Sequence, residues 1–304
     1  DGGTPLHFAA VQAVAACLID GGADINARDD DHNSTPLQWH IRERRDICRY
    51  LIAQGAETDL FAAAALGDIP LATRLLSEQP ERVADRIGYN NGPFPGIGYE
   101  GKGGTIYQWT LGFNLSPHEV ALKNGRQAVY DLLWAHSPVK TQFLVACTRA
   151  DRSTAERIAS EQPGIVASLD DQDRTLPAKF CWETNKDIHA VRLMLDLGFP
   201  VGTPEPNHGH TPLHNGAVCG DADLVELLLD HGHPADIKDP TEEATPLQWA
   251  VHGCVVARRH PEGDYARTVD LLLKAGAPFP GKYPTGDEAV DRVLAAFTTK
   301  PDDP

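Results

Sequence analysis

The chain has 304 residues, of which 41% are hydrophobic, and its 43 acidic and 27 basic residues give a formal net charge of -16. Because binding to phosphates needs clustered Lys and Arg, this charge argues against nucleic acid or an anionic membrane as a partner. The six cysteines form no CxxC pair and no apolar run approaches the ~18 residues of a membrane span, so we predict a cytoplasmic protein without a zinc framework or disulfide scaffold.

A pattern that begins with Thr-Pro-Leu recurs along the chain, at Thr4, Thr35, Thr211 and Thr245. The threonine hydroxyl can cap a helix, and proline suits the first helical position, where no backbone donor is needed. Each copy continues through two short apolar segments to a glycine that can end the second helix. The pattern therefore predicts helical hairpins. Neither helix of a hairpin can bury its apolar face alone, so the hairpins must stack.

The sequence of these copies resembles the ankyrin repeat. The resemblance rests on TPLHFAA at 4–10, GADINA at 22–27, and TPLHNGA with LVELLLDHG between 211 and 232. It implies an all-α ankyrin-repeat solenoid of about eight helix-turn-helix repeats. We expect one domain over 1–304, with repeats one to three in 1–83, a long Gly/Pro-rich loop in 84–104, repeats four to eight in 105–283, and a cap and tail in 284–304.

The loop at 84–104 interrupts the pattern after the third repeat. It contains a literal GxGxxG, but no strand precedes this motif and no helix clearly follows it, so a dinucleotide site is not indicated. Structureless insertions longer than about 12–15 residues are uncommon and tend to be functional or disordered. Three aromatic residues, Tyr89, Phe94 and Tyr99, favour a flap that grips a partner or covers a groove, and the alternative is a mobile insertion.

Four segments depart from the regular repeat. The first repeat is short after Ala10, where either the turn is truncated or residues are absent from the sequence. Residues 106–114 are expected to form an extended finger, which is the turn that precedes the helix pair of a repeat, before the fourth repeat. The eighth repeat is long, and the excess falls at 255–266, between its two helices. Residues 287–297 have the periodicity of an amphipathic helix that would cap the stack.

The ankyrin family usually binds its partners along the concave surface formed by the fingers and the inner helices. That resemblance, together with the aromatic residues of the loop, selects the binding residues His32, Arg42, Phe94, Tyr99, Phe113, Lys123, Trp182, Glu183, His208, His210, Cys219, Glu242 and His252. The set is neither uniformly charged nor uniformly apolar, which suits a protein or a peptide. Trp182 and Trp249 are large for inner helices, so each should either push the neighbouring helices apart or turn its indole outward. The groove should therefore be irregular around repeats six to eight. No cofactor is predicted, and the oligomeric state stays open.

Five histidines between residues 208 and 233 raise the question of a metal site. The resemblance gives His214, in TPLH, a structural hydrogen-bonding role, and His231 lies at a helix end where a cation is favoured. His208, His210 and His233 remain, without an obvious carboxylate partner. We therefore predict no metal site.

The alternative to a binding scaffold is an enzyme. Cys181, Cys219 and Cys254 fall in the inner-helix regions of three successive repeats, the last of them near His252. A thiol beside an imidazole can act as a nucleophile or in an acid-base pair, as in a cofactor-independent isomerase, epimerase or hydrolase acting on a peptide. Because cysteines in helix seams usually serve packing, we favour a non-catalytic recognition scaffold.

Overall fold

The computed structural model describes residues 2–182, 186–205, 209–257, 260–279 and 284–298. Within these ranges every regular element is a helix and no strand occurs. The predicted all-α repeat solenoid is confirmed. The chain divides into two compact units, Asp1–Arg149 and Ala150–Pro304. That the repeats form one continuous domain stays a prediction.

The first unit contains the helix pairs of the first four predicted repeats and the beginning of the fifth. Its elements are the 3-10 turn Pro5–Phe8, α1 (Gln12–Asp20), α2 (Pro36–His40), α3 (Arg45–Ala53), α4 (Leu60–Leu66), α5 (Ile69–Glu78), the 3-10 turns Pro80–Ala84 and Tyr99–Gly101, α6 (Tyr107–Thr110), α7 (Pro117–Lys123), α8 (Gln127–Ala135) and α9 (Val139–Thr148). All seven residues of α4 are buried. Its four consecutive alanines leave room for the neighbouring helices to approach closely.

The second unit continues the same construction. Its elements are α10 (Arg152–Glu161), α11 (Asp171–Arg174), α12 (Leu176–Lys179), α13 (Ile188–Asp196), α14 (Pro212–Val218), α15 (Ala222–Asp230), α16 (Pro246–His252), the π-helical segment Gly253–Ala257, α17 (Tyr265–Lys274) and α18 (Glu288–Thr298). The predicted amphipathic helix near the end of the chain is confirmed as α18, which packs on α17. In the described part of the chain, no helix has the length and apolar character needed to cross a membrane.

The Thr-Pro-Leu signal starts helices as predicted. The backbone N–H of Gln248 donates to the Thr245 hydroxyl at 3.4 Å, and the Thr245 N–H donates to the Gln248 side chain at 2.8 Å. Ser116 and Glu119 form the same reciprocal pair in the fourth repeat, where Ser-Pro replaces Thr-Pro. Each pair satisfies two backbone or side-chain groups that a helix start would otherwise leave without partners.

The shortened first repeat has a shortened first helix. Pro5–Phe8 is a single 3-10 turn, whereas the equivalent α14 of the seventh repeat has seven residues. The turn that follows is correspondingly brief, because α1 begins at Gln12. The structure therefore accommodates the shortage by truncating the inner helix.

The segment before the fourth repeat differs from the prediction. Residues 106–114 were expected to be an extended finger, but Tyr107–Thr110 form the one-turn helix α6. The Ile106 carbonyl accepts hydrogen bonds from the N–H groups of Trp109 and Thr110, each at 3.0 Å. These local bonds satisfy backbone groups that an extended finger would have to pair elsewhere.

The long loop packs against the finger before α2. The Lys102 ammonium donates to the Asp30 carbonyl at 2.8 Å, and the Gly103 N–H donates to the Asp31 carbonyl at 3.2 Å. The imidazole Nδ1 of His32 donates to the Gly104 carbonyl at 2.8 Å. The loop thus packs on this finger, and its role as a flap that grips a partner or covers a groove stays a prediction.

Candidate functional site

Two fingers of the protein are fixed to their helices in the same way. The carboxylate of Asp29 accepts the indole N–H of Trp39 at 3.2 Å, and that of Asp239 accepts the indole N–H of Trp249 at 2.8 Å. Both carboxylates also accept backbone N–H groups of their own fingers. Burial opposes the ionisation of Asp239, but these hydrogen bonds prevail and hold its pKa below the ordinary value.

Sequence reasoning did not select Asp29, Trp39 or Asp239. The signal was available, because Thr-Pro-Leu-Gln-Trp occurs at 35–39 and again at 245–249, with an aspartate ten residues before each tryptophan. Trp249 was expected either to push helices apart or to point outward. Its half-buried ring instead packs against its own finger, which is a third solution.

Two predicted binding residues lie against the Trp249 ring. The ring centroids of His210 and Trp249 are 4.9 Å apart, and those of Trp249 and His252 are 5.5 Å apart. Both pairs are edge-on, which is a favourable arrangement for aromatic rings. The result is a cluster of three rings, with His252 exposed and His210 half-buried.

An open cavity of about 640 Å³ lies beside this cluster. Its apolar lining comes from Trp249, Val251, Val255 and Val256, and its polar lining includes the predicted binding residues Glu242 and His252. Val256 is 68% exposed, the largest exposed fraction among the large hydrophobic residues that the structure describes. The cavity therefore offers an apolar surface with a carboxylate and an imidazole on its lining.

The insertion in the eighth repeat depends on close backbone contacts. A Cβ on Gly253 would lie 2.0 Å from the Val218 carbonyl oxygen, and one on Gly263 would lie 2.6 Å from the Cys219 carbonyl oxygen. No side chain fits at these distances. Glycine at both positions lets the insertion, and with it the cavity wall at Val255 and Val256, lie against the end of α14.

In the first unit, three predicted binding residues lie around Trp109, which is 53% exposed. Its ring makes an edge-on contact with Phe113 at a centroid distance of 5.2 Å, and the Arg42 guanidinium donates to the Trp109 carbonyl at 3.5 Å. The Lys123 ammonium donates to the Leu111 carbonyl at 2.8 Å in the same segment. We call Arg42, Trp109, Phe113 and Lys123 the Trp109 patch.

The loop residues have different roles. Phe94 is 7% exposed and its ring packs against Phe61 at 4.9 Å and Tyr107 at 5.5 Å, so it is mainly a core residue and not a free aromatic grip. Tyr99 is exposed. His32 is half-buried and holds the loop through Gly104.

The remaining predicted binding residues belong to the second unit. Trp182 follows α12 and is exposed, so its indole turns outward, which is the second of the two expected arrangements. Cys219 is half-buried at the end of α14. Glu183 and His208 lie outside the described residues.

One of the three cysteines on which the enzyme alternative depends is unsuited to act as a nucleophile. Cys181 is fully buried, and burial raises the pKa of its thiol far above the ordinary value, with Asp221 and Cys219 adding to the effect. A nucleophilic cysteine needs the opposite shift. Cys219 and Cys254 are half-buried, and the ring of His252 contacts Trp249. The described geometry therefore gives the enzyme alternative no support.

The histidines of the seventh repeat serve the backbone. His214 Nδ1 accepts from the Thr211 N–H at 3.2 Å, and its Nε2 donates to the Ala244 carbonyl at 3.2 Å, so it links two successive fingers as the resemblance implies. Burial lowers the pKa of His214 to about 4. His233 Nδ1 lies 2.9 Å from the Pro234 carbonyl. Among the described residues, no group of three or more His, Cys, Asp or Glu side chains has the arrangement of a metal site.

Two models of known families match parts of the chain. A family model described as "Ankyrin repeats (3 copies)" matches residues 178–279, and a model described as "Ankyrin repeat" matches residues 1–30. The first of these covers the ring cluster around Trp249 and the glycines that seat the insertion. A search of curated proteins found no match to the chain.

Proposed function

Because the chain belongs to the ankyrin-repeat family, whose members generally act as protein-interaction scaffolds, we propose that it binds a peptide segment of a protein partner on its fingers and first helices. The main contact is the cavity beside Trp249. We further propose a cytoplasmic location, which the six free thiols support because a reducing compartment preserves them.

The observation that carries this proposal is the exposed apolar lining of the cavity. Val256 and its neighbours Val255 and Val251 leave apolar surface uncovered beside an aromatic ring, and burying such surface contributes roughly 25 cal/mol per Å². A peptide side chain that fills the cavity removes this surface from water. Aromatic residues at the centre of an interface commonly dominate its binding energy.

Charge defines the second feature of the peptide. Glu242 lines the cavity, and the chain carries a net charge of -16. A basic partner is therefore attracted over long range and oriented at short range. We propose a peptide in which an apolar side chain, seated between Trp249 and Val256, stands next to Lys or Arg.

The Trp109 patch is a second proposed contact surface, located in the first unit. Trp109 and Phe113 offer aromatic surface, and Arg42 and Lys123 offer cations whose donors are partly engaged with backbone carbonyls. Arg and aromatic residues are enriched in protein interfaces. This patch suits an acidic or aromatic part of a partner.

The test begins with selection from a random peptide library displayed on phage, using the immobilised full-length chain. Enriched peptides are synthesised with a fluorescent label and their dissociation constants are measured by anisotropy. We expect Val256→Asp to weaken binding at least tenfold, because it places a carboxylate on the apolar lining. Val139→Asp, at an exposed valine at the start of α9, is the matched control and should bind as the wild type does.

Two outcomes would overturn the proposal. One is a library that yields no enriched peptide. The other is a set of peptides that bind Val256→Asp with wild-type affinity, which would place their site elsewhere.

A further inference from the structure

A second cavity, of about 380 Å³, lies within the first unit. Its walls come from the finger at 28–35, the start of α4, the end of α5 with the following 3-10 turn, and the loop at 93–95. These parts are distant in sequence and belong to the second and third repeats and the long loop. The volume is at the lower end of the range for small-ligand pockets.

The loop forms one wall of this cavity and is firmly placed there. Phe94 is anchored against Phe61 and Tyr107, which fixes the neighbouring prolines Pro93 and Pro95 on the cavity wall. The Thr105 N–H donates to the Pro95 carbonyl at 2.9 Å and closes the segment. A regular stack of repeats has no such wall, so the cavity is a product of the insertion.

The two aspartates that line the cavity differ in how well they are paired. Asp59 accepts the Ala62 N–H at 2.8 Å and the Tyr107 hydroxyl at 2.9 Å, and also the Gln38 amide. Asp85 is only 16% exposed, and its carboxylate lies 3.6 Å from the Arg82 guanidinium, beyond normal hydrogen-bond distance. A nearly buried carboxylate gains stability from a closer donor.

A buried hydroxyl on the cavity wall is also left without a partner. Thr35 is 2% exposed, and its hydroxyl faces the start of α2 as in a capping box but makes no hydrogen bond in the described structure. The equivalent hydroxyl of Thr245 does accept a hydrogen bond, at 3.4 Å. The first turn of α2 is therefore capped less completely than that of α16.

We propose that this cavity binds an alkylammonium group, with the cation at Asp85 and the alkyl chain against Leu60, Leu75 and Phe94. An ammonium brings three donors and one positive charge, which the Asp85 carboxylate can accept. The group can belong to a free amine or to a lysine side chain. This site is separate from the peptide surface beside Trp249 and does not depend on it.

The charges around Asp85 favour a cation. The Arg28 guanidinium on the cavity wall is paired with Glu57 at 2.8 Å. Arg82 is shared between Asp85 and Glu81, which lies 3.9 Å from it. The carboxylate of Asp59 adds a further negative charge beside the cavity.

Burial raises the pKa of Asp85 to about 6, against the opposing charge of Arg82 and with the charges of Asp59 and Glu81 adding to the increase. The Asp85 carboxylate is therefore ionised at pH 7.5, but the positive charge of Arg82 only partly offsets its negative charge. A bound ammonium stabilises the ionised form, and protonation of Asp85 below pH 6 removes its attraction. Binding should weaken as the pH falls from 7.5 to 5.

The test titrates the full-length chain with butylamine and with N-acetyl-lysine amide, followed by NMR chemical shifts or calorimetry at pH 7.5. Butanol is the uncharged control ligand. We expect saturable binding of at least one amine, a loss of at least tenfold in Asp85→Asn, and weaker binding at pH 5. Glu78→Gln on α5, which removes an exposed carboxylate paired with Arg74, should bind as the wild type does.

The two amines distinguish the sources of the group. Tighter binding of N-acetyl-lysine amide supports a lysine side chain, and equal or tighter binding of butylamine supports a free amine. The proposal is overturned if neither amine saturates, if butanol binds as well, or if Asp85→Asn keeps wild-type affinity while its circular dichroism shows an intact fold.

Discussion

The indole N–H of Trp249 donates a hydrogen bond to the Asp239 carboxylate at 2.8 Å, across ten residues of finger and helix. This bond ties the finger to the first turns of α16 and presents the Trp249 ring to His210 and His252. The finger and the ring cluster are therefore one structural feature. A change in either residue should affect both the stability of the second unit and the shape of the adjoining cavity.

Trp249→Phe tests the contribution of this hydrogen bond, because it keeps an aromatic ring and removes the donor. Asp239 retains its backbone donors. We expect the free energy of unfolding to fall by about 1–3 kcal/mol, the range for hydrogen bonds to charged groups. Urea titration followed by circular dichroism measures the change. An unchanged free energy would mean that the indole bond makes no net contribution.

His118 predicts a dependence of stability on pH. It is buried on α7, its Nε2 donates to the Ser137 hydroxyl at 2.8 Å, and burial lowers its pKa to about 4. Since the unfolded histidine titrates near pH 6.5, the unfolded state binds more protons between these values. The contribution of neutral His118 is complete above pH 6.5 and is lost as the pH falls towards 4.

The variant His118→Leu checks this account, because Leu is the residue that the Thr-Pro-Leu pattern places there. In the wild type, the shift lowers the free energy of unfolding at pH 5 by about 2 kcal/mol relative to pH 7.5. His118→Leu removes the buried titratable group, so this loss should be absent from the variant. Ser137 keeps its bond to the Leu133 carbonyl. Equal pH profiles for the two proteins would contradict the shift at His118.

The pKa shift of Asp85 predicts the opposite dependence of stability on pH. Its pKa is raised to about 6, mainly by burial, so the folded state binds more protons than the unfolded state between about pH 4 and 6. Stability is lost as the pH rises through this range, and the loss is complete at pH 7. Asp85→Asn should therefore increase the free energy of unfolding at pH 7, by up to about 3 kcal/mol, and leave it nearly unchanged at pH 4. Denaturant titrations at both pH values measure this, and a lower stability of the variant at pH 7 would refute it.

The parts of the fold that sequence predicted are those encoded locally. Thr245 and Gln248 are three residues apart and cap a helix by themselves, so the pattern was sufficient. The burial of Phe94 was not predictable, because it depends on Phe61 and Tyr107, to which a loop of unknown path had to bring it. The cavity beside Asp85 was missed for the same reason, since no short stretch of sequence contains its walls.

The residues of the candidate site likewise divide into those that the sequence predicted and those that it did not. The resemblance selected Glu242 and His252 by their positions within a repeat, and the structure places both on one cavity. Val256 was missed, because it belongs to an insertion that has no counterpart in the regular repeat. Its position depends on how closely the insertion approaches α14, which the sequence pattern does not specify.

Gly253→Ala tests whether that close approach builds the site. The added methyl group would lie 2.0 Å from the Val218 carbonyl oxygen, so the π-helical segment must move away from α14 and carry Val255 and Val256 with it. Overpacking of this kind typically costs about 1–3 kcal/mol. We expect a comparable loss in the free energy of unfolding and a reduced affinity for the peptides selected by the wild type.

Gly202→Ala is the matched control in the same unit, because its methyl group would meet nothing closer than the His233 ring at 3.9 Å. Thermal unfolding and peptide anisotropy of both variants separate a loss of the cavity from a general effect of replacing glycine. If Gly253→Ala behaved like Gly202→Ala in both measurements, the contact between the insertion and α14 would not determine the cavity. If it lost stability but kept full affinity, the peptides would bind away from Val256, and the Trp109 patch would become the leading surface.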